Sequence, residues 1–374
     1  MLLLSLTLFA AQFDIAQLEF DSSVTVRTGY DTLFGIVGTG KFIGIRGDLS
    51  ATSHLNEYTD LVAAVHTSAG RTTLPEDILS VADADLIGHL SIDQLFGDYQ
   101  IKVGRLPFEF GNGRIISANT WQFEYNIHDA ILVHANYLNT DFDFFVSKAE
   151  HGGASILGDE MLGFYGEQKF GENGAVEAYL FRRQQDIINI NEYNLALRWL
   201  DRSLHGLDYD LMLMLQHGSQ GQLEITSNAY VVNLSKQLDF GHGIGFEVAV
   251  AQGEGSNPQV RQSYNPVMID QHKFNGRADM VTFSNLIDFS INYWLNWNQR
   301  WNFHVDFHDF NRQSSVAGSL NGDRSFAREL DFYMDGKISD NLRFDFGLSI
   351  YSPQNVAFDD NEQVIIFAQA TYDF

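Results

Sequence analysis

The sequence predicts an all-β fold: a closed antiparallel transmembrane β-barrel of about 18 strands, with short periplasmic turns and long extracellular loops. Three observations predict it. Apolar and polar residues alternate with a period of two, short connections alternate with long ones, and no apolar run approaches the roughly 18 residues that a spanning helix needs. A chain that crosses a membrane without such a helix must do so as a closed barrel.

The alternating segments each approach the roughly 10 residues of a membrane strand. In the segment near the C-terminus, Val364 and Ile366 share one face, whereas Gln369 and Thr371 share the other. A closed sheet of about 18 strands is too wide for side chains to fill, so the polar face should meet a wet or plugged lumen. The predicted strands lie near 16–28, 41–51, 60–67, 85–95, 98–105, 127–138, 141–148, 160–170, 174–184, 191–201, 206–216, 225–238, 243–252, 285–297, 299–310, 327–339, 341–351 and 362–374.

The connections between these segments alternate in length. The turns at 96–98, 138–140 and 339–341 are short, and each leads into a strand that ends in a longer connection. This alternation is expected when one rim of a barrel faces the periplasm and the other faces outside, and a soluble β-sandwich would not show it. The long connections are 106–126, 149–159, 253–284, 311–326 and 352–361.

Composition narrows the class of protein further. The 374 residues suffice for one large barrel, and the 30 Phe and 15 Tyr against only 5 Pro suit many strands. A net charge of -25 argues against a nucleic-acid partner. The absence of cysteine fits a chain that crosses an oxidising periplasm. We expect an integral protein of the Gram-negative outer membrane, with no cofactor.

The first residues form a short apolar run, MLLLSLTLFAAQ. They resemble the apolar region of a secretory signal peptide, so residues 1–11 are predicted to be a signal and 12–374 a single barrel domain. No Lys or Arg precedes the run, and Phe9 replaces the small residue expected two positions before a cleavage at Ala11. An apolar first strand is therefore the alternative.

Three sequence blocks share a pattern of glycine, charged and aromatic residues. They contain Gly104, Arg105, Gly111, Arg114, Trp121, Phe123 and Asp129 in the first block, His272, Gly276 and Asp279 in the second, and Glu329 and Asp331 in the third. Together they resemble the outer-membrane alginate export family, from about residue 98 to the end of the chain and including the segment 341–353. The resemblance implies a barrel, and the family's best-known member exports an anionic polysaccharide.

Basic side chains are predicted to line the lumen. An arginine fork binds carboxylates bidentately, and a ring of such groups lowers the cost of moving an acidic sugar through a pore. The alternative is cross-strand ion pairing with inward Glu and Asp residues. Because these acidic residues are at least as common as the basic ones, the identity of the solute is left open. The candidates are Arg27, Arg46, Lys102, Arg183, Arg198 and Arg343 on strands, and Arg105 and Arg114 at or in the 106–126 connection.

Other candidate residues favour simpler interpretations. Trp121, Phe123 and Tyr125 could stack on sugars, but we expect them to pack a loop against the wall. His304 and His308 share a strand face, yet no second cluster completes a metal site, so none is predicted. No Ser, His and Asp spacing singles out a nucleophile, and an enzyme is not expected.

The strand at the C-terminus ends in an aromatic pair, Tyr372 and Phe374. This ending resembles the insertion signal read by the outer-membrane assembly machinery, which we expect as a partner together with membrane lipid. The sequence predicts a monomeric passive channel for an acidic oligo- or polysaccharide. A less selective diffusion pore and a non-transporting surface or adhesion barrel are the alternatives.

Overall fold

A computed structural model describes residues 18–31, 40–56, 58–73, 78–93, 99–119, 121, 126–151, 159–204, 206–315, 324–354 and 362–374. Its strands form a single sheet. They are β1 (Leu18–Asp31), β2 (Gly40–Asn56), β3 (Thr59–Thr73), β4 (Ile78–Asp93), β5 (Tyr99–Pro107), β6 (Ile127–Tyr137), β7 (Thr140–His151), β8 (Glu160–Phe170), β9 (Gly174–Gln185), β10 (Ile190–Leu204), β11 (Leu207–Gln220), β12 (Leu223–Gln237), β13 (His242–Ala251), β14 (Val260–Arg261), β15 (Leu286–Asn296), β16 (Trp301–Asn311), β17 (Ser325–Lys337), β18 (Leu342–Pro353) and β19 (Gln363–Asp373).

Eighteen of these strands are long and pair antiparallel with their sequence neighbours, which confirms the predicted strand number. The two-residue β14 lies parallel to β12, so β13 pairs directly with β15. β1 pairs with both β2 and β19: Val26 lies opposite Ile45 on one side and Ala370 on the other. The pairings therefore run through the whole sheet and return to the first strand.

The two faces of the sheet differ as the alternation predicts. In β18, Phe346 is 38% exposed on the outer face, whereas Ser349 and Tyr351 are buried on the inner face. Large apolar side chains such as Val103 and Ile131 are likewise exposed on the outer face. Because lipid is an apolar solvent and the interior is polar, this arrangement suits a membrane barrel.

Parts of two long connections fold against the inner face, and we call them the first inward loop (108–119, 121 and 126) and the second inward loop (252–285). They pair with each other through an isolated bridge between Ile116 and Met268. The amide of Ser117 donates to the carbonyl of Met268 at 3.0 Å, and the amide of Met268 donates to the carbonyl of Ile115 at 3.1 Å. A buried apolar core between loops and sheet thus fills part of the interior.

Helix is nearly absent from the described ranges, which contain a 3₁₀ turn at Asp239–Gly241 and a four-residue α-helix at Gln271–Phe274. In this part of the chain no helix is long and apolar enough to cross a membrane. The predicted signal segment 1–11 lies outside the described residues, as do Phe123 and Tyr125.

Candidate functional site

The first inward loop is fixed to the inner face by aromatic rings. Phe110 stacks on Phe145 and Tyr165, with ring centroids 5.2 and 5.3 Å apart. The hydroxyl of Tyr179 donates to the carbonyl of Phe110 at 3.3 Å. Gly111 follows with a φ of 59°, at a point where a Cβ would collide with the Tyr179 hydroxyl. Glycine is therefore required here both for its backbone conformation and for its size.

Arg114 joins this loop to two other parts of the molecule. Its guanidinium donates to the carboxylate of Glu247 on β13 at 2.7 Å, and it lies 4.1 Å from the ring centroid of Phe274 in the second inward loop. The side chain is 2% exposed. Arg114 thus lies on the inner side of the sheet, where it contacts protein groups rather than open lumen.

Two carboxylates on β17 hold the second inward loop against the sheet. The amide of Ala278 donates to Glu329 at 2.7 Å, and the amide of Arg277 donates to Asp331 at 3.3 Å. Gly276, with a φ of 88°, lies where a Cβ would meet the Glu329 carboxylate at 2.6 Å. Both carboxylates are buried, so the backbone amides replace the water that they lose.

The two loops meet in an aromatic contact that we call the clasp, formed by Trp121 and His272. Their rings stack with centroids 3.6 Å apart and planes within 7°. Asp279 accepts a hydrogen bond from the Trp121 indole at 3.2 Å and contacts His272 Nδ1 at 3.1 Å. Burial lowers the pKa of His272 to about 4, against the opposing effect of Asp279. His272 is therefore neutral in the clasp at neutral pH.

The clasp is fastened to the sheet by Arg27. Its guanidinium lies 3.6 Å from the centroid of the Trp121 ring and donates to the Trp121 carbonyl at 2.5 Å. Nε of Arg27 donates to Gln369 on β19 at 2.8 Å. Phe367 packs edge-on against Trp121 at 4.7 Å. Trp121 thus packs the first inward loop against the wall, and Arg27 faces the interior.

Beside the clasp lies a cavity of about 670 Å³ on the short-turn side, which we call the vestibule. Arg46 is paired there with Asp48 at 3.2 Å, and Arg277 lies 4.1 Å from the centroid of the Tyr333 ring. The vestibule therefore holds charges of both signs in comparable number. Its basic residues are Arg46, Lys273, Arg277 and Arg343, and its acidic residues are Asp48, Asp270, Asp335 and Asp345.

Two other predicted lumen arginines take part in ion pairs on the inner face. Arg183 contacts Asp159 at 2.8 Å and Glu192 at 3.5 Å and is almost fully buried. Arg198 contacts Asp210 at 2.6 Å and Glu177 at 2.7 Å. Both arginines therefore form the cross-strand ion pairs that were the alternative to a role in solute binding. Lys102 is half-buried on the inner face of β5.

Arg105 occupies a different place from the one predicted. It alternates in phase with Val103 on β5, whose side chain is exposed on the outer face, and it pairs with Asp129 at 2.9 Å. Arg105, Gly104 and Asp129 line a groove outside the barrel. The expectation that Arg105 lines the lumen is therefore wrong, because β5 extends past it to Pro107 and keeps its alternation.

The remaining predicted residues lie at the sheet itself. His308 contacts Asp288 at 2.9 Å, and His304 stacks on Tyr333. Among the residues the structure describes, no group of three or more His, Asp or Glu side chains could hold a metal. Tyr372 and Phe374 lie on the outer face, with ring centroids 4.8 Å apart.

A family model described as alginate export matches residues 70–359 of this sequence. The chain belongs to the alginate export family. Its three sequence blocks are brought together in the interior: Trp121 meets His272 and Asp279 in the clasp, and Gly276 lies against the carboxylate of Glu329 on β17. Comparison with curated protein sequences gives no match.

Solved structures with the same fold come from Pseudomonas aeruginosa. OccK5 (OpdH) is 12% identical with a TM-score of 0.68, over 95% of this chain and 98% of that one. OccK8 (OprE) and OpdK are 11% and 10% identical with TM-scores of 0.68 and 0.67, again over 95% of this chain and 98% of theirs. At these identities the likeness shows the fold. Family and fold together identify an outer-membrane β-barrel channel.

Several residues of this family member were missed by sequence reasoning. Asp270, Lys273, Arg277 and Asp335 line the vestibule, but none was a candidate. Lys273 and Arg277 lie within or beside the block that carries the family resemblance, so their proximity to His272 and Gly276 was the available signal. The sequence pattern did not indicate that the second inward loop folds into the interior, so these residues were not recognised as lining a cavity.

Proposed function

We propose that the eighteen long strands form a closed transmembrane barrel whose lumen passively passes an acidic oligo- or polysaccharide. The observation that supports this most is the vestibule, where basic side chains from the wall and from the second inward loop border one cavity. Arg46 and Arg343 come from β2 and β18, and Lys273 and Arg277 come from the loop. A solute that enters from the short-turn side would meet all four.

The chemistry of these groups suits a carboxylate-bearing chain. Arginine forks bind carboxylates in a bidentate manner, while a lysine acts as a mobile point charge. Trp121 also borders the vestibule, but its ring is covered by His272 and by the Arg27 guanidinium, so the basic groups rather than ring stacking would hold an acidic sugar. One structure of similar fold, OpdK, was determined with vanillate, which also carries a carboxylate.

A less selective diffusion pore is the second candidate. Four carboxylates border the same cavity as the four basic residues, and Arg46 is already paired with Asp48. Such a mixed wall would bind an acidic sugar weakly and admit small solutes of either charge. A non-transporting surface barrel is the third candidate.

Block of single-channel current in planar bilayers tests the proposal. We expect an acidic oligosaccharide added on the short-turn side to block wild-type current, and a neutral oligosaccharide of the same length to block it far less. Arg277→Gln with Lys273→Gln should weaken this block by about tenfold, as expected for the loss of about 1.4 kcal/mol of charge-assisted binding.

Arg328→Gln is the matched control, because Arg328 lies on the outer face and is paired with Asp309 at 2.9 Å. It should leave the block unchanged. Current without block by acidic sugars would favour the diffusion pore, and the absence of current from a folded barrel would favour the surface protein.

The barrel would meet outer-membrane lipid along its exposed apolar face, and we propose that it works as a monomer. We also propose that the assembly machinery reads the terminal aromatic pair. Phe374 is 72% exposed, and its amide is fixed by the carbonyl of Ser22 at 2.9 Å. Cross-linking in membranes tests the monomer, since a dominant dimer band would contradict it.

A further inference from the structure

The outer face carries a row of charged side chains near the long-loop rim of β5 to β8. Arg105 lies opposite Asp129, Asp129 opposite Lys148, and Lys148 opposite Glu160. Arg182 on β9 lies beside the end of this row, opposite Leu162. Neighbouring strands are about 4.8 Å apart, so successive basic residues are separated by about 10 Å. We call this the rim row.

Directly towards the membrane centre, the same strands expose apolar side chains. Val103, Ile131, Val146 and Leu162 are each between 41% and 49% exposed. The rim row and these apolar residues line one groove of about 670 Å³ on the outer face. The groove therefore has a polar end and an apolar end, in the order in which a lipid headgroup and its acyl chains are arranged.

The charge of the rim row is also unusual for this protein. The whole chain carries a net charge of -25, yet this row has three basic residues against two acidic ones. Asp129 orients Arg105 at 2.9 Å, and Nε of Arg182 donates to Asn191 at 2.7 Å. Neighbouring side chains thus hold both guanidinium groups in place beside the groove.

We propose that this groove binds a lipid of the outer leaflet whose headgroup carries phosphate. The proposal rests on the proposed function, which places the strands across the outer membrane with the long connections outside. Phosphate oxygens would accept charge-assisted hydrogen bonds from Arg105, Lys148 and Arg182. The acyl chains would lie along Val103, Ile131, Val146 and Leu162, where hydrocarbon contact costs no buried polar group. The separation of the basic residues suits a headgroup with more than one phosphate.

Lipid retention by the purified barrel tests this. The folded protein is incubated in mixed micelles with lipid A, a glycolipid with two phosphates, separated by gel filtration and analysed for bound lipid by native mass spectrometry. We expect the wild type to retain the lipid, and Arg105→Gln with Lys148→Gln and Arg182→Gln to retain about tenfold less. Arg328→Gln, an exposed and paired arginine elsewhere on the outer face, should retain as much as the wild type.

Dephosphorylated lipid A provides the second comparison, and we expect little retention of it by any variant. Equal retention by the triple variant, or equal retention of the dephosphorylated lipid, would overturn the proposal. Circular dichroism confirms that each variant is folded. Bilayer conductance of the triple variant separates this test from that of the channel: unchanged current with lost lipid supports the groove, whatever the lumen transports.

Discussion

Single residues decide whether the first inward loop can reach the inner face. Gly111 combines a φ of 59° with contact to the Tyr179 hydroxyl and the Glu177 carboxylate. Any side chain there meets both a backbone penalty and a steric one. By contrast, Gly171 has a φ of 60° but nothing within 4 Å of its Cβ position. A comparison of substitutions at Gly111 and Gly171 therefore separates the backbone penalty from the steric penalty.

We expect Gly111→Ala to lower the free energy of unfolding by about 2–4 kcal/mol, the sum of a left-handed backbone and overpacking. Gly171→Ala should cost only about 1 kcal/mol, since the backbone term acts alone. Urea unfolding in lipid bilayers measures both. Equal losses would show that the contact with Tyr179 relaxes without cost.

The ionisation of His272 should make the clasp sensitive to pH. In the clasp its pKa is about 4, because burial disfavours the charged ring, whereas a released imidazole titrates near 6.5. A depressed pKa means that the clasp is most stable above pH 6.5 and weakens as the pH falls towards 4. The groups that face the ring are Trp121, Asp279, Arg277, Arg27 and Phe367.

Single-channel current recorded from pH 7 to pH 4 tests this, and we expect more frequent or larger openings as the pH falls. His272→Phe keeps an aromatic ring but removes the titrating imidazole, so its current should change much less than that of the wild type across this window. Burial raises the pKa of Asp270, which also faces the vestibule, and its contribution would persist in the variant. An identical pH response in His272→Phe would assign the effect to such other groups.

At the level of elements, the strands could be predicted from sequence and the loops could not. Alternation is a local signal, so the faces of β18 follow directly from residues 342–351. The same signal places Arg105 with Val103 on the outer face, but treating 106–126 as loop obscured it. The clasp depends on Trp121 and Asp279, which are 158 residues apart, and no local pattern encodes such a contact.

The clasp joins the two loops as a unit, so its loss should widen the path through the barrel. Trp121→Ala removes the stack on His272 and the contact with Arg27, each worth about 0.5–2 kcal/mol. We expect a higher single-channel conductance, and Trp121→Phe should keep most of the wild-type value.

Trp199→Ala is the control for this substitution, because Trp199 stacks on Tyr209 across neighbouring strands, away from the clasp. Its conductance should equal that of the wild type. If Trp121→Ala also conducts like the wild type, the clasp does not form the narrowest point.

For the whole molecule, the meeting of the first and last strands depends on the C-terminus. β19 pairs with both β18 and β1, and Phe374 lies at its end. We expect deletion of Phe374 to lower the amount of assembled barrel in outer-membrane fractions several-fold. Phe170→Ala is the control, because Phe170 is an exposed aromatic residue at the end of β8, and its loss should leave the amount of assembled barrel unchanged. A substitution is used there because a deletion would shift the register of the strand. Normal assembly without Phe374 would remove its role as a signal.

The central claim is that the vestibule makes the barrel a path for acidic saccharides. Release from liposomes tests it most directly, with an acidic and a neutral oligosaccharide of equal length trapped together and the barrel inserted afterwards. We expect the acidic sugar to leave several times faster at low salt, and this preference to vanish at about 1 M salt, where charges are screened within about 3 Å. Equal release of both sugars at low salt, or faster release of the neutral one, would contradict the claim.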